Sequence, residues 1–216
     1  MTSGKKLALL TSLLSLLPLT CPATQTPEPD DAKALIASLN RPAPARTPFA
    51  EARFMRVLDK PLVVSGELAW LGGDRLERRV DKPTQETSTI AEGEVTQQRE
   101  GKKPRSFSLK RAPQLKVLLD SFVALLAGDP SRLGASFNVA LGRDADRWQL
   151  TLTPRDASIA KQIATIHVYG QGNQPRCLRM DEGDGDTSID LLGDLANAMP
   201  AAPTREGLIA QCGGAM

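Results

Sequence analysis

The chain has 216 residues, with 27 Lys and Arg against 25 Asp and Glu and few aromatics: five Phe, two Trp and one Tyr. That length holds one core with attachments and excludes a large multi-domain assembly. A net charge of +2 excludes the strong positive surplus on which nucleic-acid binding rests.

Lys5 and Lys6 precede an apolar run from Leu7 to Leu19, and Cys21-Pro22-Ala23 follows. Basic, then apolar, then small residues is the pattern of a secretory signal peptide, with the run too short to span a bilayer. Residues 1–23 are therefore expected to be removed, which places the mature chain in the periplasm. Its charge is then balanced, because cleavage takes away Lys5 and Lys6 and no acid. An alternative is lipidation at Cys21, but Pro18 and Thr20 stand where lipoprotein signals carry Leu and a small residue; release after Ala23 is the favoured reading.

Residues 24–48 form a leader and a short helix. Asp30 or Asp31 caps the helix, Ala32 to Asn40, and Leu35, Ile36 and Leu39 share one side of it. Prolines 42 and 44 end it. From Phe49 to Leu58 the residues Ala50, Ala52, Phe54 and Leu58 alternate with Glu51 and Arg53, which predicts a strand. The next strand is clearer: Leu62, Val64, Leu68 and Trp70 fall on one side, with Gly66 continuing it. Gly72-Gly73-Asp74 supplies a turn. Leu76, Arg78 and Val80 then share a face until Pro83, and further strands run from Thr84 to Ile90, Glu94 to Arg99 and Arg105 to Leu109. These antiparallel strands are half apolar and half wet, so they predict a curved sheet with an apolar concave face.

Pro113 opens the strongest helix. Leu115, Leu118, Leu119, Phe122, Leu125 and Leu126 recur at three- and four-residue spacing until Gly128, and Val117, Val123 and Ala124 widen the apolar side. Strands return with Phe137, Val139 and Leu141; with Trp148, Leu150 and Leu152; with Ile166 and Val168; with Leu178 and Met180; and with Ile189 and Leu191. Residues 201–216 are a small-residue tail with a turn of helix. The curved sheet with its covering helices is expected over 49–200.

Chemistry is sparse. His167 is the only histidine, set in a strand, and no nucleophile elbow, phosphate-binding loop or dinucleotide fingerprint accompanies it. Asp181-Glu-Gly-Asp-Gly-Asp186 lacks the alternating ligands of a calcium loop and reads as an acidic hairpin. No metal, cofactor or catalytic residue is assigned. Cys177 and Cys212 remain after cleavage, either as a disulfide pinning the tail or as two free thiols. Arg99 to Lys116 is basic and Asp181 to Asp194 acidic, consistent with solvated turns or with a basic rim for acidic partners or lipid head groups.

Gly66-Glu67-Leu68, Pro83-Thr84-Gln85-Glu86 and Ile90-Ala91-Glu92-Gly93 form a first ordered block. Leu152-Thr153-Pro154-Arg155 with Ile163 to Val168 forms a second. Leu178-Arg179-Met180-Asp181 with Gly185-Asp186-Thr187 forms a third. In order and spacing, from Phe49 to about Leu192, this resembles the LolA family of carriers of outer-membrane lipoproteins. The resemblance implies an α+β fold: an open, half-closed antiparallel β-barrel lidded by helices. It also implies a soluble, non-enzymatic periplasmic carrier, or chaperone, for acylated lipoproteins or other lipid, working as a monomer between an inner-membrane donor and an outer-membrane acceptor, with no nucleic acid. The cavity lining would be Phe54, Leu62, Val64, Leu68, Trp70, Leu76, Val80, Phe122, Phe137, Val139, Trp148, Leu150, Leu152, Ile166, Val168, Leu178, Met180 and Ile189. The lid would carry Leu35, Ile36, Leu39, Leu115, Leu118 and Leu119. The family's latching Arg-Pro pair is replaced by Gly72-Gly73, with Arg75, Arg78 and Arg79 as nearby substitutes. The alternatives are a membrane-tethered LolB-like acceptor, anchored through Cys21, and an exported hydrolase suggested by His167 and the acidic cluster.

Overall fold

The computed structural model describes Met1 and residues 29–213; the expected signal peptide, Cys21 and the start of the leader lie outside them. Helix α1 (Pro29–Ser38) has Asp30 and Asp31 in its first turn, where carboxylates complement the exposed N–H groups. Its Leu35 and Ile36, with Leu39 just beyond, are buried.

Eleven strands follow: β1 (Ala45–Phe54), β2 (Leu62–Gly72), β3 (Arg75–Lys82), β4 (Glu86–Ala91), β5 (Glu94–Arg99), β6 (Arg105–Ser108), β7 (Phe137–Asp144), β8 (Arg147–Pro154), β9 (Ile163–Gln171), β10 (Gln174–Glu182) and β11 (Thr187–Leu192). They make one antiparallel sheet in the order β6-β5-β4-β3-β2-β1-β11-β10-β9-β8-β7, open at β6 and β7. The chain is therefore an α+β protein built on an unclosed, barrel-like sheet.

Strand β1 starts four residues before the alternation at Phe49, and includes Pro48. The reason lies in its neighbours. Pairing to β11 begins at Phe49, so Pro48 sits where β1 has only β2 beside it and its missing N–H breaks no ladder on the other side. At its other end β1 stops at Phe54, and Leu58 falls in the following loop instead of the strand. Between β2 and β3, Gly72 and Gly73 take φ of 93° and 57°, the left-handed values a tight turn requires.

Between β6 and β7 lie a 3-10 turn (Leu109–Arg111), helix α2 (Pro113–Leu126) and helix α3 (Pro130–Ser136). Helix α3 has no hydrophobic period long enough to announce it. Its signal is local: the Asp129 carboxylate accepts from the Arg132 N–H, and Pro130 occupies the first turn. Helix α4 (Ala157–Ala160) is capped by Asp156, and helix α5 (Arg205–Cys212) by Thr204.

The register assigns each strand residue to one of two faces. On the inner face, α1, α2 and α3 cover β7 to β10. Trp148, Leu150, Leu152, Ile166 and Phe137 are almost completely buried there, together with Leu35, Ile36, Leu39, Ala124 and Leu133. On the outer face a smaller core joins Ala52, Tyr169, Cys177, Ile189 and Leu191 to Leu208 of α5, with Phe54, Leu195 and Met199 packed against them. A disulfide between Cys177 and Cys212, Cα atoms 5.6 Å apart, fastens α5 to β10.

Candidate functional site

Helix α2 leaves the β6 edge and leads through α3 to the β7 edge, so it spans the open side of the sheet. It carries two apolar stripes. Val117, Leu118, Ala124 and Leu125 pack into the inner core. Leu115, Leu119, Phe122 and Leu126 lie about a third of a turn round and are only partly covered. On β2 to β6, inner-face apolar residues form a band across neighbouring strands: Leu68 and Trp70, then Leu76, Ile90, Val95 and Phe107, held in line by the pairs Trp70–Leu76, Leu76–Ile90, Ile90–Val95 and Val95–Phe107. Leu68, Leu76, Ile90 and Phe107 retain solvent exposure. The Trp70 indole N–H donates to the Gly73 carbonyl at 2.9 Å, which anchors the ring at the end of the band. Gly66 sits beside this band because β3 passes too close for any side chain; a Cβ there would lie 1.8 Å from the Arg79 carbonyl oxygen.

Next to the apolar band runs a polar belt. The Arg78 guanidinium donates to Glu51 at 2.5 Å and lies over the Phe49 ring, 4.7 Å from its centroid. Asp190 stands directly opposite Glu51 across the β1–β11 ladder. Burial, then the repulsion of Glu51, pushes the Asp190 carboxyl well above its ordinary range, against the opposing pull of Arg78. The belt continues on β4 and β5, where Arg99 donates to Glu86 at 2.5 and 2.8 Å.

Of the residues expected to line a cavity, the structure brings Leu62, Val64, Leu68, Trp70, Leu76 and Val80 together on the inner face of β2 and β3. Leu178 and Met180 reach the same face from β10 and pack at the margin of the core, as does Val139. Phe54 and Ile189 do not belong to this set. They face outward, because β1 and β11 pair Phe54 with Thr187 and Ala52 with Ile189, in phase with the outer core. Phe137, Trp148, Leu150, Leu152, Ile166 and Val168 are inner-face residues sealed by the protein's own side chains. Leu35, Ile36, Leu39 and Leu118 also point into that core.

The three arginines near the missing Arg-Pro pair have separate uses. Arg75 donates to the Leu71 carbonyl, Arg79 to Asp81 on the outer face, and Arg78 enters the polar belt. The tie between helices and hairpin is instead Arg132 of α3, which donates to Asp74 in the β2–β3 turn at 2.9 Å and to Asp120 of α2 at 3.2 Å. Sequence reasoning missed it because Arg132 and Asp74 both sit in segments without periodicity.

His167 lies on the outer face. Its Nδ1 meets the Gln149 amide at 3.0 Å and the Thr151 hydroxyl at 3.3 Å, while Nε2 is 3.6 Å from Asp181. Burial and the neighbouring Arg179 hold the imidazole pKa down, against Asp181. Asp181 is itself gripped by the Arg179 guanidinium and the Thr187 hydroxyl. The acidic hairpin is met by arginines: Arg53 donates to Glu182, and Arg56 to the Asp184 carbonyl. No group of residues suited to a metal ion is found among the described residues, nor any helix long and apolar enough to cross a membrane.

A family model described as outer membrane lipoprotein carrier protein LolA-like matches residues 24–215. No curated protein matches the chain. Among solved structures, a LolA superfamily protein from Nitrosomonas europaea is 10% identical, with 76% of this chain and 91% of that one covered and a TM-score of 0.39. LprF from Mycobacterium bovis is 12% identical, covering 83% and 99%, at a TM-score of 0.40. The Pseudomonas aeruginosa MucA/MucB complex is 15% identical, covering 82% and 60%, at 0.36.

Proposed function

The chain belongs to the LolA-like family of outer membrane lipoprotein carriers, and from this we propose that it is a soluble periplasmic carrier that shields acyl chains and delivers them toward the outer membrane. The observation that carries the reading is the second stripe of α2. Leu115, Leu119, Phe122 and Leu126 stay partly exposed although the same helix has already filled its own core. An acyl chain in water costs about 0.8 kcal/mol per methylene, so a carrier needs apolar surface that its fold leaves unfinished. The band from Leu68 to Phe107 offers a second such surface, and the belt of Arg78, Glu51 and Asp190 gives the polar end of a cargo molecule somewhere to stop.

Native mass spectrometry of the protein purified from its own periplasm tests it. Bound lipid or an acylated polypeptide is expected, and Leu119→Asp with Phe122→Asp should lose that mass while keeping the far-ultraviolet circular dichroism. An empty wild-type protein under gentle conditions would overturn the proposal. Cys21 keeps a tethered acceptor as the second reading; an intact mass beginning after Ala23 excludes it.

A further inference from the structure

Because consecutive strands are antiparallel, the loops after β1, β3 and β5 leave the same end of the sheet. These are residues 55–61, 83–85 and 100–104, and the Glu100 N–H donates to the Gln85 carbonyl at 3.0 Å, joining two of them. The first loop holds the most exposed large apolar side chains of residues 29–213: Val57 at 86% and Leu58 at 46%, with Leu62 at 46% where β2 begins. Nothing in the fold requires them there, since Met55 to Pro61 forms a connection and contributes to neither core.

At the same end of the sheet stand Lys60, Lys82, Lys102, Lys103 and Arg105, all exposed and none in an ion pair among the described residues. Among the other charges at this end, Arg53 pairs with Glu182 and Asp81 with Arg79, while the Arg56 guanidinium donates to the Asp184 carbonyl and its backbone N–H to the Asp186 carboxylate. With Arg56 the cations at this end number six, against Asp59, Glu100 and the Asp184 and Asp186 carboxylates of the neighbouring β10–β11 hairpin, which leaves a surplus of two positive charges.

We propose that this rim docks on the surface of an anionic lipid bilayer, with Val57, Leu58 and Leu62 entering the boundary between head groups and acyl chains while the lysines meet the phosphates. The two kinds of residue decide the partner together. An acidic protein would use the cations and leave Val57 in water, whereas a neutral bilayer would take the apolar tips and ignore the cations. An anionic bilayer uses both. Lysine suits the position, since its stem lies along apolar surface while the ammonium stays wet. The proposal goes beyond the carrier reading, because it concerns where the molecule lands and is independent of what its inner face holds.

Co-sedimentation of the full mature chain with vesicles of phosphatidylglycerol and phosphatidylcholine, against vesicles of phosphatidylcholine alone, is the test. Binding to the anionic vesicles that weakens with added salt is expected. Lys102→Glu with Lys103→Glu should weaken it by about thirtyfold or more, counting two cations near the surface. Val57→Asp with Leu58→Asp should remove the part that survives salt. All four positions are exposed, so circular dichroism should stay unchanged and cargo retained in native mass spectra should be unaffected. Equal binding to both vesicle types, no binding at low salt, or variants that bind as wild type would overturn the proposal. So would loss of polyglutamate binding in the lysine variants with vesicle binding intact, which would assign the rim to an acidic polypeptide.

Discussion

Asp190 belongs to a run of acids that reads as solvated turns, yet it lies mid-strand with Ile189 and Leu191 turned to the opposite face. The alternation places it away from that outer core. What the alternation does not say is that Glu51, from a strand well over a hundred residues earlier, will stand opposite. Its raised pKa fixes the sign of a pH effect. A carboxyl whose folded value exceeds its unfolded one gives stability that is complete below the ordinary 3.8 and is lost as pH rises through the folded value. Asp190→Asn should therefore melt at a higher temperature than wild type in mildly alkaline buffer, and the gain should shrink to nothing on acidification. A gain of the same size at every pH would mean that burial and Glu51 do not raise this group.

At the scale of elements, the α2 sequence announces its helix and its excess of apolar residues, while only the packing separates the stripe that is used from the stripe that is left. Cysteine spacing likewise left open whether Cys177 and Cys212 meet. The bond closes a separation of 35 residues, which the loop-entropy model values at about 4 kcal/mol. Cys212→Ser should lower the free energy of unfolding in denaturant by about 3–4 kcal/mol, with the loss concentrated in α5 and the outer core. The Arg132–Asp74 pair is exposed at both ends and so contributes well under 1 kcal/mol. Its role is positional: Asp74→Ala should barely change the melting temperature but should speed amide exchange in α2 and α3, where the link to the hairpin is lost. Unchanged exchange would mean that the helices are held by their apolar contacts alone.

Across the whole molecule, the hairpins were readable because each pairs neighbours in the chain through a turn rich in Gly, Asp or Pro. Their faces were readable too, from the period of two. The assignment of Phe54 and Ile189 to the inner side failed for a specific reason. An apolar residue in a strand shows that its face is covered, and here both faces are, the second by a tail whose weak helix gave little warning. The two halves of the sheet also differ in burial: β8 and β9 alternate with fully buried residues, whereas β4 has none and β5 has one. Hydrogen exchange should accordingly be slowest in β8 to β10 and fastest in β4 to β6, a gradient that identifies the more yielding half of the sheet. Uniform protection would contradict it.

One ladder differs from all the others. Every pairing in the sheet joins consecutive strands except β1 with β11. As the chain folds, β1 must wait for β11, with a bare edge ready to pair with any stranger in the meantime. A chain of this design has its greatest need of a holding partner just before β11 arrives, and truncation inside β11 would leave two separate meanders instead of one shortened sheet.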